Sequence, residues 1–241
     1  MRIGVPKEIK DHEYRVGLTP DSVREFIAYG HHVLVETQAG AGIGSSDDDY
    51  RAAGAEIAVM PATLFAQADM IVKVKEPQAV ERRMLRPNQI LFTYLHLAPD
   101  PDQTRDLVDS GAICIAYETV TDGHGGLPLL APMSQVAGRL SIQAGAAALE
   151  RAKGGRGILL GGVPGVAPAK VVVIGGGVVG ENAIYMALGM AADVTVLDRN
   201  VEVLARLARR FGAALKTVYS TKAALEDYVL QADLVVGGVL V

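Results

Sequence analysis

Tryptophan is absent from this 241-residue chain, aromatic residues make up only 5% of it, and there is a single cysteine, Cys114. One thiol cannot close an intrachain disulfide, so no disulfide framework holds the fold and a reducing compartment is expected. Cys114 sits in the apolar run 112–117 and reads as a core residue before a nucleophile. An excess of basic charge is also lacking. The formal net charge is −4 and the pI near 5.7, which removes the electrostatic footprint of a nucleic-acid binder. The densest basic group, Arg206, Arg209 and Arg210, reads as the solvated face of a helix. Long hydrophobic runs are missing too. The most apolar stretch, 157–180, is rich in glycine and broken by Pro164, Pro168 and Lys170, and the chain opens without an apolar leader. A soluble, cytoplasmic protein with neither membrane nor nucleic-acid partner is expected.

What is present is a large apolar fraction, 50% of residues, enough to bury a substantial core. Short β-branched runs at 2–5, 32–36, 55–59, 70–74, 89–94 and 112–117 alternate with helical patterns. Thr19-Pro20 gives a cap followed by proline in the first turn, Val23, Phe26 and Ile27 form one apolar face, and Gly30 stops the helix. Further helices are expected to open at Ser45-Ser46, near Pro61 and near Pro101. Pro132-Met133-Ser134 opens a long, small-residue helix to about Lys153, with Ser134 as its cap, and a glycine- and proline-rich segment, 154–168, follows. The second half repeats the alternation with strands at 170–174, 193–197, near 215–219 and 233–236. The pattern predicts an α/β protein of two domains, 1–131 and 132–241, each with a mostly parallel, doubly wound sheet.

Gly175-Gly176-Gly177-Val178-Val179-Gly180 fits G-x-G-x-x-G at positions 175, 177 and 180. The motif follows a strand, opens a helix, and is followed by a second strand ending in Asp198, 18 residues beyond Gly180. In that context the pattern is a dinucleotide-binding fingerprint. Gly175 permits the tight turn, Gly177 lets backbone approach a pyrophosphate, and Gly180 lets helix pack on strand. A carboxylate at Asp198 accepts hydrogen bonds from ribose hydroxyls and repels a 2′-phosphate, favouring NAD over NADP, although Arg199 stands beside it. A flavin uses a similar fingerprint, so the motif alone leaves the cofactor open.

Ligands of open α/β sheets bind beyond the carboxyl ends of the strands. Lys7, Glu8 and Arg15 follow the first strand, Lys75 the fourth, His96 the fifth and Glu118 the sixth. Arginine forks a carboxylate, lysine adds a compact charge, and histidine exchanges protons near neutral pH, a set suited to a small 2-amino or 2-oxo acid. Each residue has a plainer reading. Arg15 also suits a surface loop, Lys75 an ion pair with Glu76, and His96, between Leu95 and Leu97, a structural histidine.

The same segments carry a resemblance. Met1-Arg2-Ile3-Gly4-Val5-Pro6-Lys7-Glu8 and Arg15-Val16-Gly17-Leu18-Thr19-Pro20 resemble the opening of the alanine dehydrogenase and transhydrogenase α-subunit family. Val72-Lys73-Val74-Lys75-Glu76-Pro77, Tyr94-Leu95-His96-Leu97-Ala98, Leu129-Leu130-Ala131-Pro132-Met133-Ser134 and Gly161-Gly162-Val163-Pro164-Gly165-Val166 resemble its alanine dehydrogenase branch. The resemblance implies NAD-dependent, reversible conversion of L-alanine to pyruvate and ammonium in a homo-hexamer. Arg15 and Lys75 would bind substrate and His96 would act as general acid and base. Ser134, Val178, Val179, Asp198, Ser220, Val239 and Leu240 fall where the family contacts NAD. A basic residue frequent in the family is replaced by Val203. The family continues past the position of Val241 through the rest of the second sheet and a catalytic aspartate, so the 241 residues alone are expected to be a poor enzyme. Three rivals remain. A transhydrogenase α subunit lacks the Tyr94-Leu95-His96 motif, a saccharopine-dehydrogenase-like enzyme fits the motifs less well, and a dinucleotide-binding module without turnover is distinguished by whether the gene continues.

Overall fold

A computed structural model describes residues 1–239. They form two compact units, Met1–Leu129 and a second beginning at Leu130. In the first, β1 (Arg2–Val5), α1 (Pro20–Ala28), β2 (His32–Glu36), α2 (Asp47–Ala52), β3 (Glu56–Ala58) and α3 (Pro61–Gln67) precede β4 (Met70–Val72), α4 (Ala79–Arg82), β5 (Ile90–Thr93), α5 (Pro101–Ser110) and β6 (Ile113–Ala116). The strands are all parallel, in the order β3-β2-β1-β4-β5-β6. The order reverses between β1 and β4, the place where doubly wound sheets open a ligand crevice.

Local chemistry starts these helices where the sequence predicts. The Thr19 hydroxyl accepts the Ser22 N–H, Ser46 and Asp49 make a reciprocal capping box, and the Asp100 carboxylate accepts the Gln103 N–H before Pro101. The fourth strand is shorter than the apolar run 70–74, and beyond its end the Val74 and Lys75 N–H groups donate to the Glu8 carboxylate. Helix α4 was not expected. It is a single four-residue turn, too short to show a periodicity, held by its own box between Gln78 and Glu81. Ile3, Val5, Val23, Val33 and Val35 fill one face of the sheet and Leu64, Phe65, Ile71 and Leu91 the other. Cys114, on edge strand β6, is half-buried against that second cluster, and burial pushes its thiol pKa up.

The second unit contains α6 (Ala131–Ala148), β7 (Lys170–Ile174), α7 (Val178–Gly189), β8 (Asp193–Asp198), α8 (Val201–Phe211), β9 (Leu215–Tyr219), α9 (Lys222–Gln231) and β10 (Leu234–Gly237). Its parallel strands lie in the order β10-β7-β8-β9. Two expectations for α6 need correction. Ser134 does not cap the helix; it lies inside it, its N–H donating to the Leu130 carbonyl at 3.0 Å. The helix also ends at Ala148, and Arg151–Lys153 form a separate 3₁₀ turn. Asn200 and Thr221 cap α8 and α9 through their side chains. Ile142, Val171, Val173, Ile184, Val196 and Leu207 are central to this unit's core.

Candidate functional site

In the first unit, the chain leaving β1 runs into Pro6-Lys7-Glu8 and meets the end of β4. Glu8 is buried, and its Oε1 accepts the Val74 N–H at 2.6 Å and the Lys75 N–H at 3.3 Å. Its Oε2 lies 3.1 Å from Nζ of Lys73, whose side chain has no exposed surface. The same ammonium donates to Glu81 Oε1 at 2.6 Å. Burial raises the Glu81 carboxyl pKa, opposed by the Lys73 charge. Lys75 is half-buried, and Glu76 is not its partner, because Lys10 takes that carboxylate.

Arg15 does not lie loose on the surface. Its Nε and Nη2 donate to Oε1 and Oε2 of Glu13 at 2.8 and 2.6 Å, and its backbone N–H donates to the same Oε1 at 2.9 Å. The Glu13 side chain is only 7% exposed. Its hydrogen bonds to Arg15 hold its carboxyl at about 2, against the opposing effect of burial, and the charge of Lys75 adds to the lowering. Burial raises the pKa of the Tyr94 phenol, opposed by the charge of Arg15 and reinforced by that of Glu118. Its hydroxyl donates to the Leu129 carbonyl at 2.5 Å, and its ring meets Tyr117 edge-on at 5.0 Å.

His96 is exposed and stands in the left-handed region at φ 48°, an uncommon conformation for any residue but glycine. Glu118 holds that turn. Its Oε1 accepts the His96 N–H at 2.8 Å and the Leu95 N–H at 3.1 Å. Arg15, Lys75 and His96 therefore share one feature: each gives its backbone N–H to a glutamate, namely Glu13, Glu8 and Glu118. The sequence reading placed Glu8 and Glu118 in this cluster without a task and passed over Glu13, whose only signal was a carboxylate two residues before an arginine.

In the second unit, the glycine turn sits where the strand order reverses, between β7 and β10. Gly175 has φ 91° and donates its N–H to the Leu197 carbonyl, and a Cβ on Gly180 would lie 1.8 Å from the Gly175 carbonyl oxygen. A Cβ on Gly177 would meet nothing within 4 Å. Gly177 is the N-cap of α7 and offers no side-chain cap, so the N–H groups of Val178, Val179 and Gly180 are left to an outside acceptor. Asp198, at the end of β8, accepts the Gly176 N–H at 2.6 Å and the Asn200 N–H at 2.8 Å. A carboxylate has about four acceptor positions, so capacity for hydroxyl donors is left over. The Ser220 N–H donates to the Asp198 carbonyl at 2.9 Å, Val178 and Val239 are exposed, and Leu240 lies outside the described residues. Ser134, in α6, is half-buried.

Two of the three arginines of α8 do more than cover a solvated face. Arg206 and Arg210 both pair with Glu181 in the first turn of α7, and Arg206 donates to the Gly176 carbonyl at 3.0 Å. They neutralise an acid that would oppose an anion at that helix end. An open depression of about 560 Å³ along α8 is lined by residues that include Asn200, Val203, Arg206 and Arg209. Among the described residues no group of His, Cys, Asp or Glu is arranged to hold a metal, and no helix is long and apolar enough to cross a membrane.

Comparison with known proteins gives concordant results. The family model "Alanine dehydrogenase/PNT, N-terminal domain" matches residues 4–137 and its C-terminal companion residues 141–241. The chain is 59% identical to the alanine dehydrogenase of Halomonas elongata and 52% identical to that of Mycolicibacterium smegmatis, in each case over all of this chain and 65% of the relative. A solved L-alanine dehydrogenase superposes with a TM-score of 0.92 at 52% identity, covering 100% of this chain and 66% of the other. A transhydrogenase from Sinorhizobium meliloti, 24% identical, shares the fold with a TM-score of 0.81 over 100% of this chain and 70% of its own. The chain thus spans about 65% of the length of the curated relatives it matches.

Proposed function

Since the chain belongs to the alanine dehydrogenase/PNT family, whose two domain models between them match nearly all of it, we propose that its activity is the reversible oxidative deamination of L-alanine. Alanine, NAD⁺ and water give pyruvate, ammonium, NADH and a proton. The observation that carries this reading is the cation pair of the first unit. Arg15 and Lys75 stand at the carboxyl ends of β1 and β4, close enough for both charges to act on Glu13. Two such cations suit the carboxylate and carbonyl of a 2-oxo acid. His96 gives and takes the protons exchanged as the substrate imine forms and is hydrolysed, a service commonly worth about 10²–10⁴ in rate.

NAD, when bound, supplies the hydride acceptor. The residues present fit it. The uncapped start of α7 and the open space off Gly177 suit a pyrophosphate, with Gly175, Val178, Val179 and Gly180 completing the turn. Asp198 suits the ribose hydroxyls and disfavours a 2′-phosphate. Ser134, Ser220, Val239 and Leu240 belong to the same proposed contacts on the family resemblance. In this reading residues 1–131 serve the substrate and 132–241 the dinucleotide. A cytoplasmic homo-hexamer is part of the same proposal.

The test is alanine-dependent NADH formation by the purified protein, with His96→Ala alongside and NAD affinity measured for both. The expected result is a loss of about 10²–10⁴-fold in the variant at unchanged NAD affinity. Equal rates would remove His96 from the chemistry, and NAD binding without any alanine-dependent reduction would favour a binding module.

A further inference from the structure

Three charged side chains that the proposed chemistry does not use are buried together where the strand order reverses. Lys73 has no exposed side-chain surface, Glu8 2% and Glu81 4%. The Glu36 carboxylate adds its charge to the same cluster and accepts the Lys7 N–H at 2.9 Å. Buried ion pairs roughly cancel their own desolvation cost, so stability alone is a weak account of them. What this network does geometrically is specific. Glu81 fixes the Lys73 ammonium, Lys73 orients the Glu8 carboxylate, and the other oxygen of that carboxylate takes the backbone N–H groups of Val74 and Lys75. The strut joins the segment after β1 to the segment after β4, 65 residues apart.

We propose that Glu8, anchored through Lys73 and Glu81, is a positioning residue that sets where Lys75 presents its charge to the substrate. This rests on the reading of Lys75 as a substrate-binding group. The carbonyls of Val74 and Lys75 are held from the end of β5, by the Tyr94 N–H at 3.3 Å and the Thr93 hydroxyl at 2.9 Å. Their N–H groups go to Glu8, so without the carboxylate the segment carrying Lys75 is tied along one edge only. A glutamine at position 8 keeps the shape but loses the charge, and it presents an NH₂ either to the ammonium or to the two N–H donors.

The experiment titrates pyruvate into the NADH-saturated protein by calorimetry, for the unmutated chain and for Glu8→Gln, with NADH affinity measured separately. Losing a hydrogen bond to a charged group predicts pyruvate binding weaker by about tenfold or more in the variant, at unchanged NADH affinity. A merely destabilising change would not split the two ligands in this way. Equal pyruvate affinity in both proteins overturns the inference and leaves the reading of Lys75 standing. No pyruvate binding by the unmutated chain overturns that reading and the inference with it. Amide exchange in the unmutated protein serves if the variant does not fold: slow exchange at Val74 and Lys75 is expected, and exchange at free-peptide rates overturns the strut.

Discussion

Glu13 and Arg15 are two positions apart, and their fork-to-fork contact converts directly into a pH dependence. The Glu13 carboxyl is lowered from an ordinary 4.5 to about 2, chiefly by its hydrogen bonds to Arg15. The folded protein therefore releases this proton more readily than the unfolded chain does. The stability this contributes is complete above about pH 4.5 and is lost as pH falls towards 2. Glu36 and Glu81 are shifted the other way by burial, so their contribution is present at low pH and lost as pH rises. Comparison of unmutated chain and Glu13→Gln separates the first from these. Melting temperature measured from pH 6 to pH 2 should fall less steeply below pH 4.5 in the variant. Parallel curves would show that solvent at the half-exposed Arg15 already screens the pair. At this scale the sequence singles out candidate residues but not what holds them. Arg15, Lys75 and His96 could be picked out by position after strands, whereas Glu8–Lys73 and Glu118–His96 depend on contacts across 65 and 22 residues that no local pattern encodes.

The turn from β7 into α7 separates two kinds of glycine. A Cβ at Gly180 would stand 1.8 Å from the Gly175 carbonyl oxygen, which is backbone and cannot step aside. Gly180→Ala must spread helix from strand, and overpacking of that kind costs about 1–3 kcal/mol or more, read as a lowered melting temperature. Gly177→Ala meets open space at an ordinary φ of −69°, so its melting temperature should stay close to the unmutated value. Its methyl group would project into the space proposed for the pyrophosphate, so NAD affinity should fall. The two variants thus separate fold from binding at one turn, and a Gly177→Ala protein that binds NAD normally would place the pyrophosphate elsewhere. Elements with local signals were legible in advance: strands from β-branched runs, one helix from the Thr19 cap and another opening at Ser45-Ser46. Errors fell where the signal was weak or tertiary. Ser134 resembles a cap but stands inside α6, and β4 ends at Val72, short of the apolar run, where Glu8 takes the N–H groups of Val74 and Lys75.

Across the whole molecule, the alternation of strands and helices anticipated two α/β units. It could not say how their apolar residues would be shared. The structure gives each unit its own core. Leu64, Phe65, Ile71 and Leu91 belong to a cluster confined to the first unit, and Ile142, Val173, Ile184 and Leu207 to one confined to the second. Leu64 and Ile184 are both fully buried, and truncating either to alanine leaves a cavity costing about 2–5 kcal/mol. Because no buried residue is common to the two clusters, the loss should stay within the unit that suffers it. Native-state amide exchange measures this residue by residue. Ile184→Ala should speed exchange on β7, β8 and α7 while leaving β1, β4 and β5 at their unmutated rates, and Leu64→Ala should do the reverse. A scan for a single melting temperature would blur the difference, since a two-unit chain need not unfold in one step. Faster exchange on both sides of Leu129 from either substitution alone would mean that the two cores, although built from separate residues, open as one cooperative unit.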